Sequence, residues 1–183
     1  EMDKFGFRQL QTPLEALNIV YPSIKLDQEI EKGEINIDKT SGDEYDPRAT
    51  MVGKRGMRTV MNYIDDSAKK IPKKHKFSYK PEIQEKYGRI FSSDVIGNYS
   101  SKISSIIQSI KQSKGIVLIY SQYIDGGVVP MALALEELGL SRSGYSEDTT
   151  SLFETPPTEP IDALTMKPKS QTEGQFRPAR YVM

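Results

Sequence analysis

The sequence predicts an α/β fold in which a parallel sheet carries flanking helices and long loop insertions, and three observations predict it. Between Asn98 and Lys114, Ile103, Ile106, Ile107 and Ile110 fall at i, i+3, i+4 and i+7, with serine, lysine and glutamine on the other faces. Directly afterwards comes "IVLIY", Ile116 to Tyr120, a continuous run of β-formers of the kind found in a strand buried on both faces. A polar loop, "SQYIDGG", then leads into a second helical pattern with Met131, Ala134, Leu135 and Leu138 on one side. Helix, buried strand, loop and helix in that order belong to a sheet with helices on its faces.

Each element has a local justification. Asn98 or Ser100 is expected to cap the first helix, and Gly115 to end it in a left-handed conformation. The second helix should begin near Pro130, where a missing amide hydrogen does no harm, and stop at Gly139. At the start of the chain a short helical pattern runs into the β-prone stretch Asn18 to Tyr21, an expected entry strand ended by Pro22. Residues 31–50 are polar with scattered glycine and read as a loop, and a short helix is expected from Met57 to Ile64. Between Ser141 and Arg177, Pro156, Pro157, Pro160 and Pro168 exclude a regular helix or a central strand, so a long surface excursion is expected. "RYVM", Arg180 to Met183, has the look of a buried strand just opening, and the chain reads as a piece of a longer protein.

Composition narrows the function. Of 183 residues, 37% are hydrophobic and 27% charged, which suits one domain with much loop. Twenty-five basic residues balance twenty-five acidic ones, so no global field would hold the chain on nucleic acid or a membrane; electrostatic binding has to be local. Without cysteine there is no disulfide, thiolate nucleophile or cysteine-held zinc, and a reducing intracellular setting fits. No apolar stretch approaches the roughly 20 residues that span a bilayer, so no membrane partner is expected.

Several patterns imitate chemistry without meeting its requirements. "GEINIDKT" resembles a phosphate-binding loop but places Asp38 where glycine must precede the lysine. "GDEYD" at 42–46 resembles a magnesium-holding acidic box but follows "KTSG" instead of an apolar strand. Lys69, Lys70, Lys73, Lys74 and Lys76 flank His75; Pro72 breaks the run and no aromatic residue interleaves, so a solvated loop is favoured over a phosphate patch or nuclear address. His75 has no second ligand nearby, and no metal site is expected. Asp65 with Asp66 and Glu136 with Glu137 are adjacent pairs, and neighbours on a helix do not converge on a substrate.

The loop after the apolar run is the candidate site. In open α/β sheets ligands gather at the carboxyl ends of strands. There Ser121 and Gln122 offer short polar groups, while Gly126 and Gly127 let backbone approach a phosphate near a helix start. On spacing alone, a tight connection whose glycines serve only geometry explains the loop equally well.

The stretch "SSKISSIIQSIKQSKGIVLIYSQYIDGGVVPMALALEELG" resembles the opening of the second RecA-like domain of superfamily 2 helicases, especially the Snf-like translocases, in which a helix leads into a strand ending in a "YSQ" or "FSQ" motif. With "LFETPPTEPIDALTMKPKS", "FRPARYVM" and "NIVYPS", it is similar to helicases of nucleocytoplasmic large DNA viruses over roughly residues 14–30 and 77–183. The resemblance implies a partial RecA-like (P-loop NTPase-type) parallel sheet. Residues 1–30 would link from the first motor domain, 31–92 would form a loop-rich, partly helical insertion, and 93–183 would open the second RecA-like domain, with a proline-rich excursion at 152–178. It implies that Ser121, Gln122 and Tyr123, assisted by Gly126 and Gly127, contact the backbone of DNA or RNA. ATP and magnesium would be bound by the remaining helicase domains of the same parent chain. This piece would hold neither and carry no catalytic residue, because the phosphate-binding lysine, the acidic box and the "GSEGLDF"-like and "QxxGRxxR"-like motifs lie outside it. A viral origin would place it in the host cytoplasm, the nucleus or the virion. The alternative expectation is a non-catalytic α/β module that holds protein in a viral or transcription-associated assembly.

Overall fold

The computed structural model describes residues 10–33, 50–63, 76–144 and 151–183. The fold is mixed α/β: helices surround a shared core, and the strands form two separate two-stranded sheets. A helix over 10–16 (α1) matches the short helical pattern at the start, and α2 (Ile24–Glu31) follows, capped by the Ser23 hydroxyl, which accepts from the Leu26 amide. The expected entry strand between them does not form. Residues 18–21 are fixed instead by single backbone bonds, Val20 N–H to the Tyr99 carbonyl and Tyr21 N–H to that of Met51, and Ile19 and Tyr21 are wholly buried. An apolar run gave the propensity, but neither neighbour offers a strand edge to pair with it.

The helix expected over Met57–Ile64 is displaced towards the amino end. α3 is Gly53–Val60, and β1 (Met61–Tyr63) follows at once, antiparallel to β2 (Phe77–Tyr79) with Met61 opposite Tyr79 and Tyr63 opposite Phe77. α4 (Pro81–Tyr87) then begins with proline in its first turn. The carboxylate of Asp27 on α2 ties down the end of α4, accepting from Lys86 Nζ at 2.8 Å and the Tyr87 hydroxyl at 2.6 Å, and these bonds hold its pKa below the ordinary value. The lysine cluster at 69–74, His75, Asp65 and Asp66, and both decoy motifs apart from Gly33 lie outside the described residues, whereas Lys76 donates to the Ser151 carbonyl at 3.1 Å.

α5 (Ser101–Gln112) has the predicted stripe, with Ile103 and Ile107 buried and Ile106 and Ile110 partly so. Ser100 is the cap, accepting from the Ile103 amide at 3.0 Å and donating to the Asn18 carbonyl at 2.5 Å. Its end is not the glycine stop expected: Ser113 turns into extended backbone (φ −73°, ψ 142°), and Gly115 has no positive φ. α6 (Val129–Leu138) has proline in its first turn and stops at Gly139 with φ +103°, as expected. It is not one-sided, however, since every residue from Val129 to Glu137 is buried. α6 is the central helix, and residues of the 31–92 region such as Met57, Phe77 and Ile90 share its core.

The main departure concerns Ile116–Tyr120. This run pairs with no strand, and its backbone makes no backbone hydrogen bond among the described residues. Exposure nevertheless alternates: Leu118 is 93% and Tyr120 86% exposed, while Val117 and Ile119 are 45% and 37% exposed. Only one face of the run is partly covered, as in a strand lying on a helix layer without lateral partners. β3 (Ser141–Arg142) follows α6 and pairs in parallel with β4 (Arg180–Tyr181), so "RYVM" does enter a strand. Between the 116–119 run, α6 and the end of β4 lies an apolar groove of ≈ 540 Å³, lined by Ile116, Leu118, Met131, Leu135 and Val182 among others.

The proline-rich stretch 152–178 is irregular, as predicted, but it is fastened at several points. Single bridges join Phe77 to Phe153, Ile161 to Pro168 and Asp162 to Pro178. The carboxylate of buried Glu136 accepts from the amides of Leu152 and Phe153 and from the hydroxyls of Ser151 and Tyr181. Asp162 gathers the amides of Leu164, Thr165 and Arg177, and those bonds lower its pKa to about 2.

Candidate nucleic-acid interface

The loop begins where the apolar run ends. Ser121 folds it back at once: its hydroxyl accepts from the Tyr123 amide at 3.2 Å and donates to the Tyr123 carbonyl at 3.1 Å. Gln122, between them, is exposed. The ring of Tyr123 turns partly inwards, and its hydroxyl is buried without a hydrogen-bond partner in the described structure. Residues Ile124–Val128 then form one wide π-helical turn, closed by Val128 N–H on the Tyr123 carbonyl at 3.0 Å, which runs straight into α6. As in any helix start, the first amides, those of Ile124 to Gly126, have no backbone acceptor among the described residues.

The two glycines have different neighbours, and both are close. Gly126 is buried; a Cβ there would lie 3.3 Å from Glu15 Cγ and 3.4 Å from Gly53 Cα. On Gly127 a Cβ would collide with the Ser121 hydroxyl. Both glycines therefore have a packing reason inside the chain, namely the approach of α1 and α3 in one case and the Ser121 turn in the other. Tyr21 adds a strut, donating from its hydroxyl to the Asp125 carbonyl at 3.4 Å. Of the five predicted contact residues, Gln122 is the one exposed to solvent; Ser121 shapes the turn, Tyr123 and Gly127 are half-buried, and Gly126 is covered.

Glu136 and Glu137, adjacent on α6, diverge. Glu136 faces 151–153 and Tyr181, and Glu137 faces the Arg89 guanidinium and the Tyr79 hydroxyl (2.6 Å). Burial and the neighbouring carboxylates push both tyrosine hydroxyls well above their ordinary pKa, so they stay protonated donors. These are anchors of the fold. Among the described residues no group of three or more potential metal ligands converges, and no helix is long and apolar enough to cross a membrane.

Sequence reasoning missed the first turn of the helix beneath the loop. α3, "GKRGMRTV", buries Gly53, Gly56, Met57 and Val60 and exposes Lys54, Arg55 and Arg58. The signal was present as a 3.6-residue alternation of small or apolar positions with cations, but a helix started at Met57 leaves out the first turn. Comparison with family models, curated proteins and solved structures finds no match to this chain.

Proposed function

We propose that this chain is part of an ATP-dependent nucleic-acid helicase or translocase, in which the loop Ser121–Gly127 holds the backbone of one strand. The observation that carries this reading is the loop's position: it follows an extended apolar run, opens a buried helix, and presents Gln122 beside amides that have no backbone acceptor among the described residues. The "YSQ" resemblance supports it from the sequence. Contacts of this kind fix register without reading bases. ATP and magnesium belong, in this reading, to the other motor domains, whose closure and reopening would move the loop along the strand.

The test replaces Gln122, whose side chain is exposed and makes no hydrogen bond among the described residues. Gln122→Ala in the full chain should weaken single-strand binding by about 1 kcal/mol, roughly fivefold, for every base sequence. Gln122→Glu, which sets a carboxylate against phosphate, should weaken it further, with nucleic-acid-stimulated ATP hydrolysis falling in parallel and the basal rate unchanged. Equal binding by the Gln122→Glu variant and the parent at low salt would defeat the proposal.

A second reading, a non-catalytic module that holds protein, is favoured by one feature, the exposed ladder Ile116–Tyr120 beside the apolar groove. Unpaired β-formers of this kind accept an added strand.

A further inference from the structure

Two unfilled strand edges border the apolar groove. On one side β4 is held by β3, with Ser141 N–H on the Ala179 carbonyl at 2.9 Å and Ser143 N–H on that of Tyr181 at 2.8 Å, and Ala179 N–H bonds to the Ile161 carbonyl at 2.9 Å. Successive residues of a strand turn their amides and carbonyls to opposite edges, so those of Arg180 and Val182 point away from β3. They have no backbone partner among the described residues, and both residues line the groove. On the other side runs 116–119, whose backbone likewise makes no backbone hydrogen bond among the described residues. The floor is α6, through Met131, Ala132 and Leu135. The Tyr181 hydroxyl, bonded to Glu136 at 2.7 Å, keeps β4 on that helix. Of the side chains described along the groove, Arg180 alone is charged; it is exposed and makes no hydrogen bond or ion pair among the described residues.

We infer that this groove is a slot for one extended segment of a partner protein, apolar at the positions that face α6 and carrying a carboxylate on the outer face beside Arg180. A helix or a folded surface laid over the groove would leave both rows of backbone groups unpaired, whereas a strand between them satisfies both. Tyr181 is buried, so Arg180, its neighbour in β4, points to the opposite face, where a carboxylate on the added strand would pair with it. The inference rests on the protein-holding reading and deepens it, and it makes no use of the nucleic-acid one.

The test is binding of a labelled, capped peptide by the full chain, the peptide being about six residues long, as a usual strand is, and alternating valine and threonine with one threonine replaced by glutamate. Amide hydrogen exchange should slow in both walls, at 116–120 and at Val182, when the peptide binds. Val182→Pro removes an amide that faces the groove and spares the bonds to β3, so it should weaken binding at least about fivefold. Val182→Thr, which keeps that amide, should bind as the parent does. A peptide with lysine in place of glutamate should bind about threefold to fivefold more weakly, and Arg180→Gln should remove that difference. Slowed exchange at 116–120 alone, with Val182→Pro binding normally, would place the segment on the outer ladder; the slot then fails while the protein-holding reading stands. If the parent binds the peptide at neither edge, both fail. A parent that is a dimer at the assay concentration, and a monomer as Val182→Pro, would show that a second copy fills the slot and would overturn the inference.

Discussion

Asp162 shows how one side chain can fasten a segment that has no regular structure. Its carboxylate accepts three backbone amides and the Thr165 hydroxyl, all of which favour the charged form and hold its pKa at about 2, against an ordinary 3.8. A carboxylate whose pKa is depressed on folding contributes stability that is fully present above the unfolded value and is lost as pH falls through the folded one. Urea unfolding of the parent and of Asp162→Asn between pH 5 and pH 2 should therefore differ most at pH 5. The gap should close as pH drops from about 4 to about 2. A gap independent of pH would mean that the amides are bonded through some other group. The glycines of the loop show the complementary case, in which a residue is chosen for what it lacks: Gly127 leaves room for the Ser121 turn, and Gly126 for Glu15 and Gly53.

The run Ile116–Tyr120 has the sequence of a central strand and the environment of an edge. Val117 and Ile119 are partly covered, but Ile116, Leu118 and Tyr120 face solvent, and the groove alongside is apolar. Unpaired amides and carbonyls on a β-forming stretch are a template for association. Leu118→Lys with Tyr120→Lys should raise the concentration at which the chain stays monomeric by light scattering, with little change in melting temperature, because neither side chain packs against the core. A large fall in melting temperature would show that this face is already covered in solution. α5 and α6 contrast with the run: each satisfies its own backbone internally, so an apolar stripe and a cap suffice to define a helix.

Across the molecule, α6 links regions distant in sequence through its two buried glutamates. Glu137 joins α6 to Arg89 and Tyr79, whose ring packs against Phe91 and Phe153 at 6.1 and 5.7 Å. Glu136 joins it to the start of the proline-rich excursion and to β4. Removing one partner of such a pair leaves a charge buried. Arg89→Met should cost about 2–3 kcal/mol, less than for a fully enclosed pair because the arginine side chain is 35% exposed and water can partly replace it. Calorimetry should show the midpoint about 5–10 °C lower. A shift under about 2 °C would mean that Tyr79 alone satisfies Glu137.

The amino-acid sequence by itself determined the elements whose bonds are local. The α5 stripe and its Ser100 cap, α6 from Pro130 to the left-handed Gly139, and the irregular course of 152–178 were all legible, because helix hydrogen bonds span four residues and proline acts at its own position. The limits of the loop, from Ser121 to the start of α6, were legible too. What depended on partners far along the chain was not: the lack of a strand partner for 116–120 among the described residues, the pairing of β3 with β4, the burial of α6 on all sides, and the contact of Gly53 with Gly126 that sets a cationic helix beside the loop. A strand needs an edge supplied by another segment, and a surface needs two elements brought together. Residue pattern specifies the propensity for each, and only tertiary packing decides whether the partner is there.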